Sequence, residues 1–470
     1  MFATIVSLGL AGIFVGWGLV PTEFLVLRTW ISCLSALAIV WGLLYIRYGG
    51  QLPLRSDVLV MLGFSGFQLA PPLYLSIRIP YAPSVDIYDV ADMYPLVALV
   101  TVLGALAFHA GYAIIKQRTP NDVSPKRPWG ISPAQIGIII ALITLVVWVA
   151  RGILLYNGAY YWIHVDESFL FGRWYSVTRT ISDLGLILPI MLWLLMGQDR
   201  RWRFWAWLAT AAEFAWVLPS GARQLMLETL FGLLLVVWWL RRRPPMKQLV
   251  ILFFLAVLTL PILDIYRYTI VDATDINRIS LSASVKAYHA AQERFERLSQ
   301  GSYLDLADSS LRRLYDGQFL GYLLKQYRSV YDWEYGKTYL ERLPFLFLPY
   351  FIYIDRPIMQ VPLNDWFKLV AGGSTPTTFL GEAFLNFGYL GIFIVAFLMG
   401  MVLHLYDKFF QRRQQDILMM AIFILFSAGM PFKVNASFAG WLGYLRNAFL
   451  MALAVNLFLI LLGHRKPHRR

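Results

Sequence analysis

The sequence predicts an all-α, polytopic membrane protein with about twelve transmembrane helices and one large helical loop on the extracytoplasmic side. Three observations carry that expectation. Hydrophobic residues make up 58% of the 470 and charged residues 15%, with a mean hydropathy of +0.58, whereas soluble domains carry roughly a quarter charged residues. The apolar residues fall in runs of the length needed to cross the hydrocarbon core, ~20 residues of helix. Basic residues cluster between those runs: Lys116, Arg118, Lys126 and Arg127; Arg200, Arg201 and Arg203; Arg241, Arg242, Arg243 and Lys247; Lys408, Arg412 and Arg413; and the tail from His464 to Arg470.

Taken in order, the apolar runs place spans at 3–20, 26–46, 57–77, 94–115, 132–155, 180–197, 203–219, 224–240, 248–267, 378–405, 416–432 and 441–463. Lys and Arg favour cytoplasmic loops, so the clusters set the orientation. With every cluster cytoplasmic, both termini are cytoplasmic and the count of spans is even. The first apolar run has no basic segment before it and is followed by further spans, so it reads as a span rather than a cleaved leader. Residues 1–267 then hold transmembrane helices 1–9, residues 268–377 form the large outer loop, and residues 378–470 hold helices 10–12 with a basic cytoplasmic tail.

The loop carries helical periodicity from Ser282 to Leu298 and again from Leu304 to Tyr331, with Ser309 and Ser310 as caps ahead of Leu311. The proline-punctuated apolar segment from Leu343 to Tyr353 is too short to span and reads as lying in the membrane interface. Abundant Trp (17), Tyr (26) and Phe (32) suit interfacial belts. The net charge of +13 would point to nucleic acid in a soluble chain; distributed as it is here, it is a topology signal on anionic lipid, and no nucleic-acid partner is expected. One cysteine, Cys33, excludes an internal disulfide and a Cys-based metal site.

Candidate chemistry lies on the outer side. Arg223, in Ser220-Gly221-Ala222-Arg223, sits in an outer turn against the basic-inside trend and so needs a partner. The loop adds Arg278, Arg294, Arg297, Arg312, Arg313, Arg328, Arg342 and Arg356. A guanidinium fork matches two phosphate oxygens, so Arg223, Arg312, Arg313 and Arg356 are candidate pyrophosphate ligands. Ion pairing with loop acids such as Asp305, Asp308, Glu341 and Asp355 accounts for the same residues. Glu382, at the start of a span, is costly unless paired or wet. It is a candidate general base, with Asp316 as a second, or else a structural partner for an arginine. Asp86, Asp89 and Asp92 could bind a cation or sugar hydroxyls, or form a solvated turn. His164 has Asp166 and Glu167 beside it and Trp162 just before it. These read as a base with sugar-stacking aromatics or as belt residues. His164, Trp162 and Tyr339 are the candidate glycan contacts.

No Walker A sequence, Gly-x-Gly-x-x-Gly, His-Glu-x-x-His, Gly-x-Ser-x-Gly or Asp-x-Asp pair occurs, which argues against ATP hydrolysis and nucleotide-sugar donors. No cofactor or metal is expected.

Several fragments share an order and spacing: Tyr335-Gly336-Lys337-Thr338-Tyr339, Leu343-Pro344, Asp355-Arg356-Pro357, Thr377-Thr378 with Gly381-Glu382, and Asn386-Phe387-Gly388-Tyr389-Leu390-Gly391. With the earlier Ser220–Arg223 turn, they resemble the bacterial oligosaccharide repeat-unit polymerases, the Wzy-type O-antigen and exopolysaccharide polymerases. The resemblance covers roughly residues 215–400. It departs at Arg356, where members often carry lysine before the proline. It implies a metal-independent glycosyltransferase of GT-C-like architecture in the bacterial inner membrane. Such an enzyme would join glycan repeats carried on undecaprenyl pyrophosphate at the outer face, with a chain-length regulator as a partner. A lipid-linked glycan ligase and a glycan flippase or transporter remain open beside it. So does a structural subunit of an export machine.

Overall fold

The computed structural model describes residues 2–49, 51–80, 89–115, 133–156, 173–197, 199–218, 223–245, 247–251, 289, 293, 315, 317–330, 333–346, 378–414 and 416–461. Among these residues the chain is helical apart from short connections, and no strand occurs. A backbone in hydrocarbon has no water to bond, so each segment must satisfy its own N–H and C=O groups, which the helix does.

Helix α1 (Phe2–Phe14) ends in a π-helical turn, Val15–Leu19, and α2 spans Leu25–Tyr48. Helices α3 (Ser56–Gly63) and α4 (Ala70–Arg78) are joined by a second π-helical stretch, Phe64–Leu69. Then come α5 (Tyr94–Ile114), α6 (Pro133–Tyr156), α7 (Arg173–Asp183), α8 (Ile187–Met196), α9 (Arg203–Val217) and α10 (Arg223–Arg241). The loop region contributes α11 (Gly317–Val330) and α12 (Lys337–Arg342). Helices α13 (Phe379–Gln411), α14 (Ile417–Lys433) and α15 (Phe438–Leu461) close the chain.

Among the described residues, eight helical stretches are long and apolar enough to cross a membrane: Thr22–Tyr48, Ser56–Arg78, Ala91–Ile114, Ile136–Tyr156, Thr178–Met196, Gln224–Arg241, Phe379–Gln411 and Phe438–Leu457. Each matches one of the expected spans. The shorter apolar helices Thr4–Leu19 and Ile417–Lys433, with α9, fall on three more. Most of the expected span at 248–267 lies outside the described residues.

Capping side chains fix several ends. Thr378 Oγ1 accepts the Gly381 N–H at 2.9 Å to start α13, and Asp416 Oδ1 accepts from Leu418 and Met419 at 3.1 and 3.3 Å to start α14. Helix α14 is apolar all round and buried on every residue from Ile417 to Ile424. It is surrounded by α3, α8, α10 and α15. Helices α5 and α13 lie side by side, brought close by Gly111 and Gly400, where an added Cβ would fall 1.9 and 2.1 Å from the partner helix's backbone. On the periphery, α6 exposes Ile138, Leu142, Leu145, Val146, Val149 and Ile153, and α9 exposes Phe204, Trp205, Trp207 and Leu208. Water tolerates no apolar surface of that continuity, and lipid does. The helices and their outer faces suggest a multi-pass membrane protein.

Part of the loop region docks on one end of this bundle, here called the loop end; the opposite end, with the Arg and Lys clusters, is the basic end. Helix α11 buries Phe319, Leu320 and Leu323 against α5 and α13. Just ahead of it, Tyr315 meets Tyr94 edge-on at 5.4 Å between centroids. The second expected loop helix is therefore present in its later part; of the first, only His289 and Glu293 are described, both helical. Lys325 on α11 donates to the Asp89 carbonyl and lies 3.3 and 3.4 Å from the Asp89 and Asp92 carboxylates. Two of the three outer acids thus clasp the loop helix; Asp86 is outside the described residues. The described part of the apolar segment, Leu343–Leu346, is a 3-10 turn continuing from α12 and set against α15.

Candidate functional site

Helix α13 breaks eight residues after its start, and the break organises the loop end. Phe387 (φ −143°, ψ 16°) and Gly388 (φ 62°, ψ −149°) leave helical geometry. The left-handed φ at Gly388 is one that glycine alone adopts without strain. A Cβ there would also meet the Trp333 ring at 2.6 Å. The break frees carbonyls upstream, and two find partners. Glu382 C=O accepts from Asn386 Nδ2 at 2.8 Å, and Leu385 C=O accepts the Glu334 N–H at 3.2 Å.

From there a continuous chain of hydrogen bonds runs through buried side chains. The Gly336 N–H donates to Asn386 Oδ1 at 3.0 Å, and Asn386 Nδ2 donates to Thr338 Oγ1 at 2.7 Å. The Thr338 hydroxyl donates to Glu382 Oε1 at 2.9 Å, and the Phe438 N–H donates to Glu382 Oε2 at 2.6 Å. Thr338, Glu382 and Asn386 have no exposed surface. Phe438 is the first residue of α15 and Glu382 lies in the first turn of α13, so the carboxylate sits by two helix N-termini, where negative charge is favoured. Three of the noted sequence fragments, Tyr335–Tyr339, Gly381-Glu382 and Asn386–Gly388, therefore meet in one network.

This geometry bears on the roles expected for Glu382. Both carboxylate oxygens are engaged and the side chain is fully buried, whereas a general base must come within hydrogen-bond reach of the proton it removes. In this arrangement Glu382 is a bracket that holds α12, α13 and α15 together. Its hydrogen-bond partners are a threonine hydroxyl and a backbone N–H, and Arg342 lies within electrostatic reach. Tyr339 stacks on Phe387 and meets Phe438 edge-on at 5.5 Å. Burial first, then the nearby Glu382 charge, push its phenol well above the usual range, so it stays neutral.

Cations surround the network. Arg342 is buried and donates to the Thr338 carbonyl at 3.0 Å, with the Glu341 carboxylate 3.5 Å away. Arg446 on α15 donates to the Leu346 carbonyl and, through Nε and Nη2, to Asn447 Oδ1 at 3.1 and 2.8 Å. Lys433 lies over the Tyr444 ring at 5.0 Å. Arg223 begins α10, which places its backbone at the same end; its side chain, and all of Asp316, Arg312, Arg313, Arg356, His164 and Trp162, lie outside the described residues. Sequence reading did not single out Thr338, Asn386, Lys433 or Arg446. The available signal for Thr338 and Asn386 was their place inside motif fragments.

A second buried cluster closes the basic end, where one hydrogen bond joins Ser56 and Asp407, 351 residues apart in sequence. Asp407 on α13 accepts from the Tyr112 hydroxyl and from the Ser56 N–H, the latter at 3.0 Å. The next residue, Asp57, accepts from Tyr48 at 2.6 Å and from the Val58 N–H at 3.0 Å, with Arg47 Nε 3.7 Å away. The Arg47 guanidinium lies 4.7 Å over the Tyr112 ring, and His404 packs edge-on against that ring at 5.2 Å. Both aspartates are buried.

Among the described residues no group of three or more His, Cys, Asp and Glu side chains could hold a metal ion. No known protein family, no curated protein and no solved structure matches the chain.

Proposed function

We propose that the protein joins undecaprenyl-pyrophosphate-linked oligosaccharide repeats into a surface or extracellular polysaccharide, as a metal-independent glycosyltransferase of the bacterial inner membrane. On this reading the chain has about twelve spans, cytoplasmic termini and a working loop end on the outer face. The observation that carries it is the meeting of the Tyr335–Tyr339, Gly381-Glu382 and Asn386–Gly388 fragments at one helix break, beside Arg342, Lys433 and Arg446. Transfer from a pyrophosphate leaving group needs fixed positive charge where the phosphate departs, and cations held by carbonyls and rings supply it without reorganisation. Arg223, Arg312, Arg313 and Arg356 would extend that charge toward the loop. Non-helical backbone at membrane depth occurs only where protein buries it or water reaches it, which suits a site at the break.

A second reading, a lipid-linked glycan flippase, is favoured by a different observation. Broken helices mark many transporters, and here the first and third expected spans carry π-helical stretches while α13 is broken. A ligase shares all the features above and differs only in acceptor.

The test is complementation of a deletion strain with Arg342→Ala, Arg446→Ala or Glu382→Gln. The polymerase reading expects single lipid-linked repeats to accumulate on the outer face while long-chain polysaccharide disappears. Repeats retained on the cytoplasmic face would establish the flippase instead. Intact polymer that never reaches its final acceptor would establish the ligase.

A further inference from the structure

One flank of the loop end holds charges that the Glu382 network does not use. Arg151, on α6, is buried and donates through Nη2 to both oxygens of Glu213 on α9, at 2.8 and 2.6 Å, and to the Ser182 carbonyl at 3.3 Å. Its guanidinium lies 5.1 Å from the Trp148 ring centroid and 4.8 Å from that of Trp216. The junction of α7 and α8 is pressed onto this pair: a Cβ on Gly185 would fall 2.1 Å from Arg151 Nη2 and 2.7 Å from Glu213 Oε2. Such an ion pair, desolvated and framed by two indoles, is a fixed wall rather than a mobile surface contact.

Asp183 stands on that wall. It ends α7, one residue after Ser182, where the helix tightens into the 3-10 turn Leu184–Leu186. Its side chain is 31% exposed, while Oδ1 is buried and lies 3.5 Å from Arg179 Nε without forming a hydrogen bond. The fully buried Ser182 hydroxyl beside it also has no hydrogen-bond partner. Glu213, Glu228 and Arg151 are all within electrostatic reach of Asp183.

Several other described carboxylates of the loop end are committed elsewhere. Glu213 gives both oxygens to Arg151, and Glu382 gives both to Thr338 and Phe438. Glu228 accepts from Gln224 at 2.6 Å, and Asp89 and Asp92 clasp Lys325. Asp183 combines a buried Oδ1 whose charge partner is the Arg179 guanidinium, a side chain that is otherwise partly exposed, and a rigid support.

We propose that Asp183 is a catalytic residue that meets the acceptor glycan and takes the proton of its attacking hydroxyl, while the Arg151–Glu213 pair and Gly185 are positioning residues. The assignment rests on the glycosyl-transfer reading. In the step, the acceptor oxygen bonds to the anomeric carbon of the donor glycan. The anomeric carbon–oxygen bond to pyrophosphate breaks, its electron pair leaves on the phosphate oxygen, and the hydroxyl proton passes to Asp183. The Arg179 guanidinium 3.5 Å away favours the carboxylate form that accepts the proton, and the proton leaves to water as product departs. The ligand class is therefore a hydroxyl-bearing carbohydrate.

The experiment uses the full chain in proteoliposomes, with lipid-linked repeats extracted from the deletion strain as probe. Positioned acid–base groups contribute on the order of 10²–10⁴-fold, so Asp183→Asn should lower kcat by that factor with little change in KM. The thermal melt should match native protein. Asp183→Glu should recover part of the rate, and Asp183→Ala should be rescued by added formate, a readout that a purely structural role would not move. Glu228→Gln should stay within about ten-fold of native. An active native protein whose Asp183→Asn form elongates at the native rate overturns the Asp183 assignment and leaves the polymerase reading standing. If Asp183→Asn fails to fold, a folded Asp183→Ala that formate does not rescue overturns it equally. Native protein that elongates no lipid-linked repeat overturns the polymerase reading and the assignment with it.

Discussion

At the loop end of α13, Glu382 accepts from a threonine hydroxyl and a helix-initiating N–H; at the basic end, Asp407 accepts from a tyrosine hydroxyl and from the N–H of Ser56. Both carboxylates are buried on one helix, yet they join different things. Glu382 ties a loop helix, α12, to two spans. Asp407 ties spans to one another, and the adjoining Asp57 brings in Tyr48 and Arg47 from α2. The loop end is a bracket on a removable part, whereas the basic end is a bolt through the bundle. Loss of the first should release the loop segment and the site, and loss of the second should loosen the whole fold.

That contrast breaks most readily at Asp407. Asp407→Ala would leave the Tyr112 hydroxyl and the Ser56 N–H buried without acceptors, a loss of roughly 2–5 kcal/mol. The expected outcome is a markedly lower melting temperature in detergent and poor membrane yield, measured against Glu382→Ala. The Glu382 variant should keep more of the bundle's stability and become cleavable within residues 331–378 under limited proteolysis. Equal melting temperatures with no new cleavage in the Glu382 variant would erase the distinction between the two ends.

Gly388 sharpens the same comparison from the loop side. Alanine there would have to hold φ 62° with ψ −149°, a region essentially restricted to glycine, at about 1–3 kcal/mol. It would also push its methyl into the Trp333 ring, at 2.6 Å as the backbone stands. The variant should fold, lose the Trp333 and Glu334 contacts over the break, and lose polymer more than it loses stability. Tryptophan fluorescence and polymer length on the same preparation would check this. A stable variant with normal polymer would show that the break is only a bend.

How much of this was legible in the sequence depended on whether a feature was local. The spans were, because an apolar run of helical length needs no partner to be recognised. Glu382 was flagged because a carboxylate at a span edge needs a partner, and the fragments around Gly336, Glu382 and Gly388 were visible as pieces. What joins them was not: Thr338 is an ordinary hydroxyl until folding sets it 2.9 Å from Glu382. Arg151 and Glu213 were passed over because averaging hydropathy along a span hides one charge among twenty apolar neighbours, and Asp57 and Asp407 because a charge at the edge of an apolar run looks like an ordinary boundary. Each partner, moreover, comes from a distant segment. The loop arginines drew attention instead, since a polar stretch displays its charges openly.

The smallest effect should come from the clasp that holds α11 against the outer turn. Lys325 is partly buried, which alone would lower its pKa, but Asp92 and Asp89 outweigh this and raise it above its ordinary 10.5. A lysine with a raised folded pKa contributes fully below its unfolded value and loses that contribution as pH rises through the folded one. The clasp should therefore be intact at neutral pH and fail only above about 10.5. Because Asp89 is fully exposed and Asp92 nearly half exposed, salt screens the pair, and Lys325→Ala should cost no more than about 1 kcal/mol. Helix α11 keeps its buried Phe319, Leu320 and Leu323 in either case. Hydrogen exchange on residues 317–330 would show slightly faster opening in the variant, converging with native protein at high salt. A large loss of protection would mean that the charges, and not the apolar face, dock this helix, and the loop end would then be electrostatically latched in the manner of the basic end.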